Sequence, residues 1–170
     1  MMTSFLSFSL EHIFSEKNTF ALPLPTQGFI DSLLKIGPIP QNEEGLIHYM
    51  LSLWSAYNGN ASSFNPIYWA SLAKQWIRKT NNLSASYHHR LAVSASPLSR
   101  EEILYNLRVP SLIIHGLLDP FFPIEHAYAL QKVLPDSTLK IIDNMGHLFH
   151  EAFIEEILEA LLCHLRKYDA

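Results

Sequence analysis

Apolar residues recur at helical spacing through the first half of the chain. Phe29, Leu33, Leu34 and Ile36 predict a short helix that Gly37-Pro38 ends. Leu46, Ile47, Met50, Leu51, Leu53 and Trp54 predict a stronger one over 42–57. Asn42 can accept from its free first-turn N–H groups, and Glu43 and Glu44 sit at the positive end of its dipole. Asn58-Gly59 stops it. Over 65–80, Asn65 caps and Pro66 takes the first helical position, where a missing N–H is harmless. Trp69, Leu72, Ala73, Trp76 and Ile77 form that helix's apolar face. Pro23, Pro25 and Gly28 make 21–28 a connector.

Beyond residue 108 the rhythm changes. Ser111-Leu112-Ile113-Ile114-His115-Gly116 is a short apolar run closed by glycine, which predicts a buried strand. Ile124–Leu134 follows with helical spacing. Pro135-Asp136-Ser137 turns the chain, and Thr138–Asp143 predicts a second strand. Phe153, Ile154, Ile157, Leu158, Leu161, Leu162 and Leu165 then give the clearest amphipathic helix in the sequence. Strand–helix–strand–helix in so short a span predicts a right-handed unit with parallel strands under helical cover. Residues 1–100 therefore read as a helical region and 101–170 as part of an α/β core.

Composition narrows the function. The chain has 170 residues, 48% hydrophobic and only 16% charged, which excludes global disorder. The net charge is −4 and no basic run exists, so no nucleic-acid partner is expected. No stretch reaches the ~20 apolar residues of a membrane span. The N-terminus lacks a basic region ahead of its apolar residues, so no secretory signal is expected and the sequons at Asn60 and Asn82 carry little meaning. A single cysteine, Cys163, excludes an intrachain disulfide and fits a reducing, cytoplasmic setting.

Two polar residues stand where the strands end. Asp119 follows the first in HGLLDP (115–120), and His147 follows the second in DNMGHLFHE (143–151). Parallel neighbours bring both loops to one sheet edge, where ligands bind. There a carboxylate accepting from His Nδ1–H would fix the tautomer and leave the imidazole as a general base. The alternative is that Asp119 opens a turn before Pro120 and His147 is an ordinary loop residue.

The span 109–151 resembles the C-terminal part of an α/β-hydrolase. The carrying features are the V-P-x-L-I-I-H-G-x-x-D strand and acid loop, the L-P-x-S-x-L-x-I-I strand, and Met145-Gly146-His147 before a helix. The resemblance runs over about residues 100–166. Residues 83–100, with Tyr87-His88-His89-Arg90-Leu91-Ala92, are similar to the last cap helix of esterase-like members that include anthracycline methylesterases. The resemblance implies Asp119 as triad acid, His147 as triad base, and a small apolar ester as substrate. It also implies a partial α/β-hydrolase fold, a helical cap followed by a terminal βαβα unit of a parallel sheet.

One part of the pattern is missing. The family's nucleophile elbow is G-x-S-x-G on a strand-to-helix turn. None of the six glycines, 28, 37, 45, 59, 116 and 146, lies four from another, and none has Ser two residues before it. The chain starts about where the cap begins, so the earlier core strands have no room. No nucleophile is therefore assigned. Cys163 lies in the last helix and reads as a small buried hydrophobe. Ser94 and Ser96 read as solvated loop. No phosphate loop, cofactor motif or metal set is expected: His147-x-x-His150-Glu151 is not the H-E-x-x-H of a zinc helix, and His88, His89, His115 and His126 add no shared ligand face. Trp54, Trp69 and Trp76 read as core, or as walls of an acyl pocket. The expected function is that of a hydrolase-family chain inactive alone, completed by a nucleophile-bearing half or self-associating. The alternative is a non-catalytic remnant or interaction module.

Overall fold

The computed structural model describes residues 22–79 and 101–168. The expected first-half helices form, the second and third with their expected caps. In α1 (Gln27–Lys35) the Thr26 hydroxyl accepts from the Phe29 N–H, and Phe29 is the buried residue. In α2 (Glu43–Asn58) the Asn42 side chain accepts from the Gly45 N–H at 2.7 Å, and Gly59 ends the helix with φ +58°, a left-handed conformation that favours glycine. In α3 (Pro66–Lys79) Asn65 Oδ1 accepts from the N–H groups of Ile67 and Tyr68. Leu46, Met50 and Ala73 bury the seam between α2 and α3, with Trp54 and Ile77 packed on it. Trp54 meets Trp69 at 5.4 Å between ring centres. Trp76 departs from the expected core: it is 40% exposed, because α2 covers only part of the α3 stripe.

A short helix, α4 (Glu101–Tyr105), adds to the expected elements. It precedes β1 (Ser111–Gly116), α5 (Glu125–Val133) and β2 (Ser137–Ile142). The strands pair in parallel from Ser111↔Ser137 to Gly116↔Ile142. Alternation along each strand gives the ribbon two apolar faces. Ile113 and Leu139 face α5 through Ala127 and Leu134, while Ile114 and Ile142 face Met145 and Ile157 on the other side. The N-terminal side of α1 is strapped to this unit. Leu22 packs on Ala129 and Val133, the Thr26 N–H donates to Pro120 O at 2.8 Å, and His126 Nε2–H donates to Pro23 O at 2.9 Å.

After a 3-10 turn at Glu151–Phe153 comes α6 (Ile154–Tyr168). Only Ile157 of its apolar stripe is buried; Leu158, Leu161, Leu162 and Leu165 stand 39–56% exposed. Cys163 is exposed as well, which corrects the expectation of a buried thiol. It lies six residues beyond Ile157, and at 3.6 residues per turn that is about a third of a turn round the helix from the face on the sheet. No helix among the described residues is long and apolar enough to cross a membrane.

Candidate active site

The in-register ends of β1 and β2 send the acid loop and the histidine loop off one edge of the ribbon. Backbone contacts hold the loops against each other: the Leu117 N–H donates to Ile142 O and the Leu118 N–H to Met145 O, each at 3.0 Å. The approach is so close that a Cβ on Gly116 would stand 2.3 Å from the carbonyl oxygens of Met145 and Gly146, so no side chain fits there.

Asp119 is 6% exposed. Its Oδ1 accepts from the N–H groups of Phe121 and Phe122, both at 2.8 Å, which curls the loop back over the carboxylate. Its Oδ2 accepts from His147 Nδ1–H at 2.7 Å. A carboxylate can only accept, so this contact fixes the proton on Nδ1. The structure thus brings together the two residues singled out in the sequence. His147 Nε2 makes no hydrogen bond among the described residues, and the side chain is 21% exposed. The imidazole is framed by the rings of Tyr57, Phe121 and Phe122 at 5.1–5.5 Å. Burial, with lesser contributions from Tyr49 and Asp119, pushes the Tyr57 hydroxyl above its ordinary range.

Three other histidines, His115, His126 and His150, have structural partners. His115 Nε2–H donates to Phe122 O at 2.8 Å and lies 3.7 Å from Asp119 Oδ2, too far to bond but near enough to brace the acid loop. His126 is tied to Pro23, and burial holds its imidazole below the usual histidine range. His150 has both ring nitrogens engaged, Nε2–H with Ser63 O and Nδ1 with the Ala152 N–H. Among the described residues no three His, Cys, Asp or Glu side chains converge as metal ligands. His88, His89, Ser94 and Ser96, with the expected cap helix at 83–100, lie outside the described residues.

Sequence reasoning missed the part played by the end of α2. The His147 N–H donates to Tyr57 O at 3.0 Å, and a Cβ on Gly146 would stand 2.5 Å from Asn58 O. The pair Asn58-Gly59 was legible only as a helix stop. An open cavity of about 770 Å³ lies between α1, α2 and the acid loop. Phe29, Ser52, Ser55, Leu117, Asp119 and Pro123 line it, and His147 does not.

Comparison with known proteins gives a consistent picture. Residues 17–152 match the family model described as the alpha/beta hydrolase fold. Rhodomycin D methylesterase of Streptomyces peucetius is 26% identical over 160 residues, covering 89% of this chain and 50% of that protein. The chain therefore spans about half the length of the curated relatives it matches. Among solved structures, the meta-cleavage product hydrolase of Pseudomonas fluorescens IP01 superposes with a TM-score of 0.55 at 16% identity, over 85% of this chain and 52% of that one. An esterase from Exiguobacterium antarcticum does so with a TM-score of 0.55 at 16% identity, over 86% and 54%. At such identities the likeness is one of fold.

Proposed function

Because the chain belongs to the α/β-hydrolase family, we propose that Asp119 and His147 are the acid and base of a hydrolytic triad whose nucleophile comes from outside these 170 residues. The reading rests on one observation: a buried carboxylate holds His147 Nδ1–H at 2.7 Å and leaves Nε2 free. Nε2 would take the proton from an attacking hydroxyl and return it to the departing alkoxide, while Asp119 stabilises the imidazolium formed between the two steps. The substrate class is a small apolar ester, in keeping with the methylesterase named among the relatives. The single cysteine accords with a reducing, cytoplasmic setting.

The sequence holds no G-x-S-x-G, which supports a nucleophile supplied from outside the chain. Labelling of the isolated chain with a fluorophosphonate, read by mass spectrometry, tests this. No adduct is expected. An adduct on any residue of the chain that disappears in His147→Ala would place the nucleophile inside it. Supplying a related hydrolase's G-x-S-x-G half should give ester turnover that both Asp119→Ala and His147→Ala abolish.

A second reading, an interaction module, has one observation in its favour: the exposed leucine stripe of α6. Stripes of this kind are uncommon on monomers and mark contact surfaces. They suit either a completing half or a second copy of the chain.

A further inference from the structure

The connection from α2 to α3 runs along the loop that carries His147, and three hydrogen bonds stitch them together. The His147 N–H donates to Tyr57 O at 3.0 Å, the Ser62 N–H donates to Asn144 O at 3.1 Å, and His150 Nε2–H donates to Ser63 O at 3.2 Å. Asn58, 3% exposed, sets the curve of the connection by donating its amide to Ser62 O at 2.7 Å. Gly146 fits beneath it, since a Cβ there would stand 2.5 Å from Asn58 O and 2.9 Å from Tyr57 O.

Two of the three stitches are backbone to backbone. The third depends on one side chain. His150 is 4% exposed, and burying an imidazole is favourable only when its nitrogens are satisfied. Here both are. Nδ1 accepts from the Ala152 N–H at 3.1 Å and so opens the turn that leads into α6. With Nδ1 an acceptor, the proton resides on Nε2, which donates to Ser63 O. The ring also packs on Trp69 of α3, at 5.7 Å between centres, and on Phe153. One buried side chain, three residues beyond His147, thus joins α3, the α2–α3 connection and the base of α6.

We propose that His150 is a positioning residue for His147: it locks the histidine loop to the α2–α3 connection, and through that lock the placement of α2 and α3 sets the alignment of His147 on Asp119. Its functional meaning rests on the reading of His147 as the base, while its geometry is tested without catalysis. The signature is the ring Nδ1 proton of His147, followed by NMR in the full chain. In the wild-type chain it should appear far downfield and exchange slowly with water. His150→Phe keeps a ring against Trp69 but removes both nitrogens. It should speed that exchange by about tenfold, as the loss of one net hydrogen bond implies, with helix content unchanged. His150→Gln, which can still donate to Ser63 O, should restore most of the protection.

A folded His150→Phe variant with wild-type exchange overturns the proposal. Should that variant fail to fold, His150→Asn keeps an acceptor for the Ala152 N–H but is too short to donate to Ser63 O, and the same acceleration is expected. Unchanged exchange there overturns the proposal equally. A wild-type chain with no protected proton would remove the Asp119–His147 bond, and both readings with it. Absence of ester turnover in the completed enzyme, with the proton still protected, would remove only the triad.

Discussion

Replacing Asp119 by Asn separates the charge of the acid from its shape. The asparagine carbonyl can take over Oδ1, still accepting from the N–H groups of Phe121 and Phe122. Its amide then stands where Oδ2 accepted the 2.7 Å bond from His147 Nδ1–H. Two donors now face each other, so the imidazole must move its proton to Nε2 and accept at Nδ1. The stability change is the loss of one charge-assisted bond in favour of a neutral one, about 1–2 kcal/mol. Asp119→Ala does more harm, because it takes the acceptor from two backbone N–H groups in a loop with little access to water. At ~1–3 kcal/mol for each such group, the alanine variant should lose about 3 kcal/mol or more. In the completed enzyme the asparagine variant puts a proton on the atom that must act as base, a loss of roughly 10³–10⁴ in turnover. Long-range ¹⁵N–¹H correlation of the His147 ring reads the tautomer, and urea unfolding reads the stabilities. An asparagine variant whose His147 keeps its proton on Nδ1, or an alanine variant as stable as the asparagine one, would refute the reasoning.

Three further outcomes follow from the same geometry. Burial, opposed by the bond to Pro23 O, lowers His126 from the ordinary 6.5. The unfolded chain therefore binds this proton first, and the stabilisation is complete above about pH 6.5 and falls away as pH drops toward the lowered folded value. Urea unfolding on either side of that value should show the loss, and His126→Gln should flatten it; parallel profiles for the two chains would contradict this. Gly116→Ala forces a methyl group to 2.3 Å from two carbonyl oxygens, so it should cost about 3 kcal/mol, the upper end of overpacking, and loosen the Asp119–His147 bond; thermal unfolding checks it. The exposed leucines of α6 should make mass rise with concentration in sedimentation, and the pair Leu158→Glu and Leu162→Glu should suppress the rise. A wild-type monomer at high concentration that binds no hydrophobic dye would show that the chain closes its own core.

What the sequence made legible was local. Asn42, Asn65 and Gly59 punctuate helices by rules that act within one turn, and the structure uses all three that way. Asp119 and His147 were legible because each immediately follows a strand, and adjacent parallel strands leave little freedom in where their loops go. The grip of Tyr57, Asn58 and Ser63 on the histidine loop was not legible. It is made largely through backbone carbonyls, which any residue supplies, across 87 residues in the case of Ser63 and His150. For His150 the sequence offers only the spacing to His147, because residue type says nothing of which carbonyl will stand opposite a ring nitrogen. The α6 stripe shows the converse. Periodicity told which residues share a face, but not whether anything lies against it, and so four of its leucines are exposed.

The central claim, an acid–base pair without its nucleophile in the same 170 residues, is tested most directly by p-nitrophenyl ester hydrolysis. The wild-type chain and His147→Ala are compared under steady-state conditions. The account predicts that neither turns over above the rate of free imidazole and that no burst of p-nitrophenol appears. Steady turnover by the wild-type chain that vanishes in His147→Ala would contradict it.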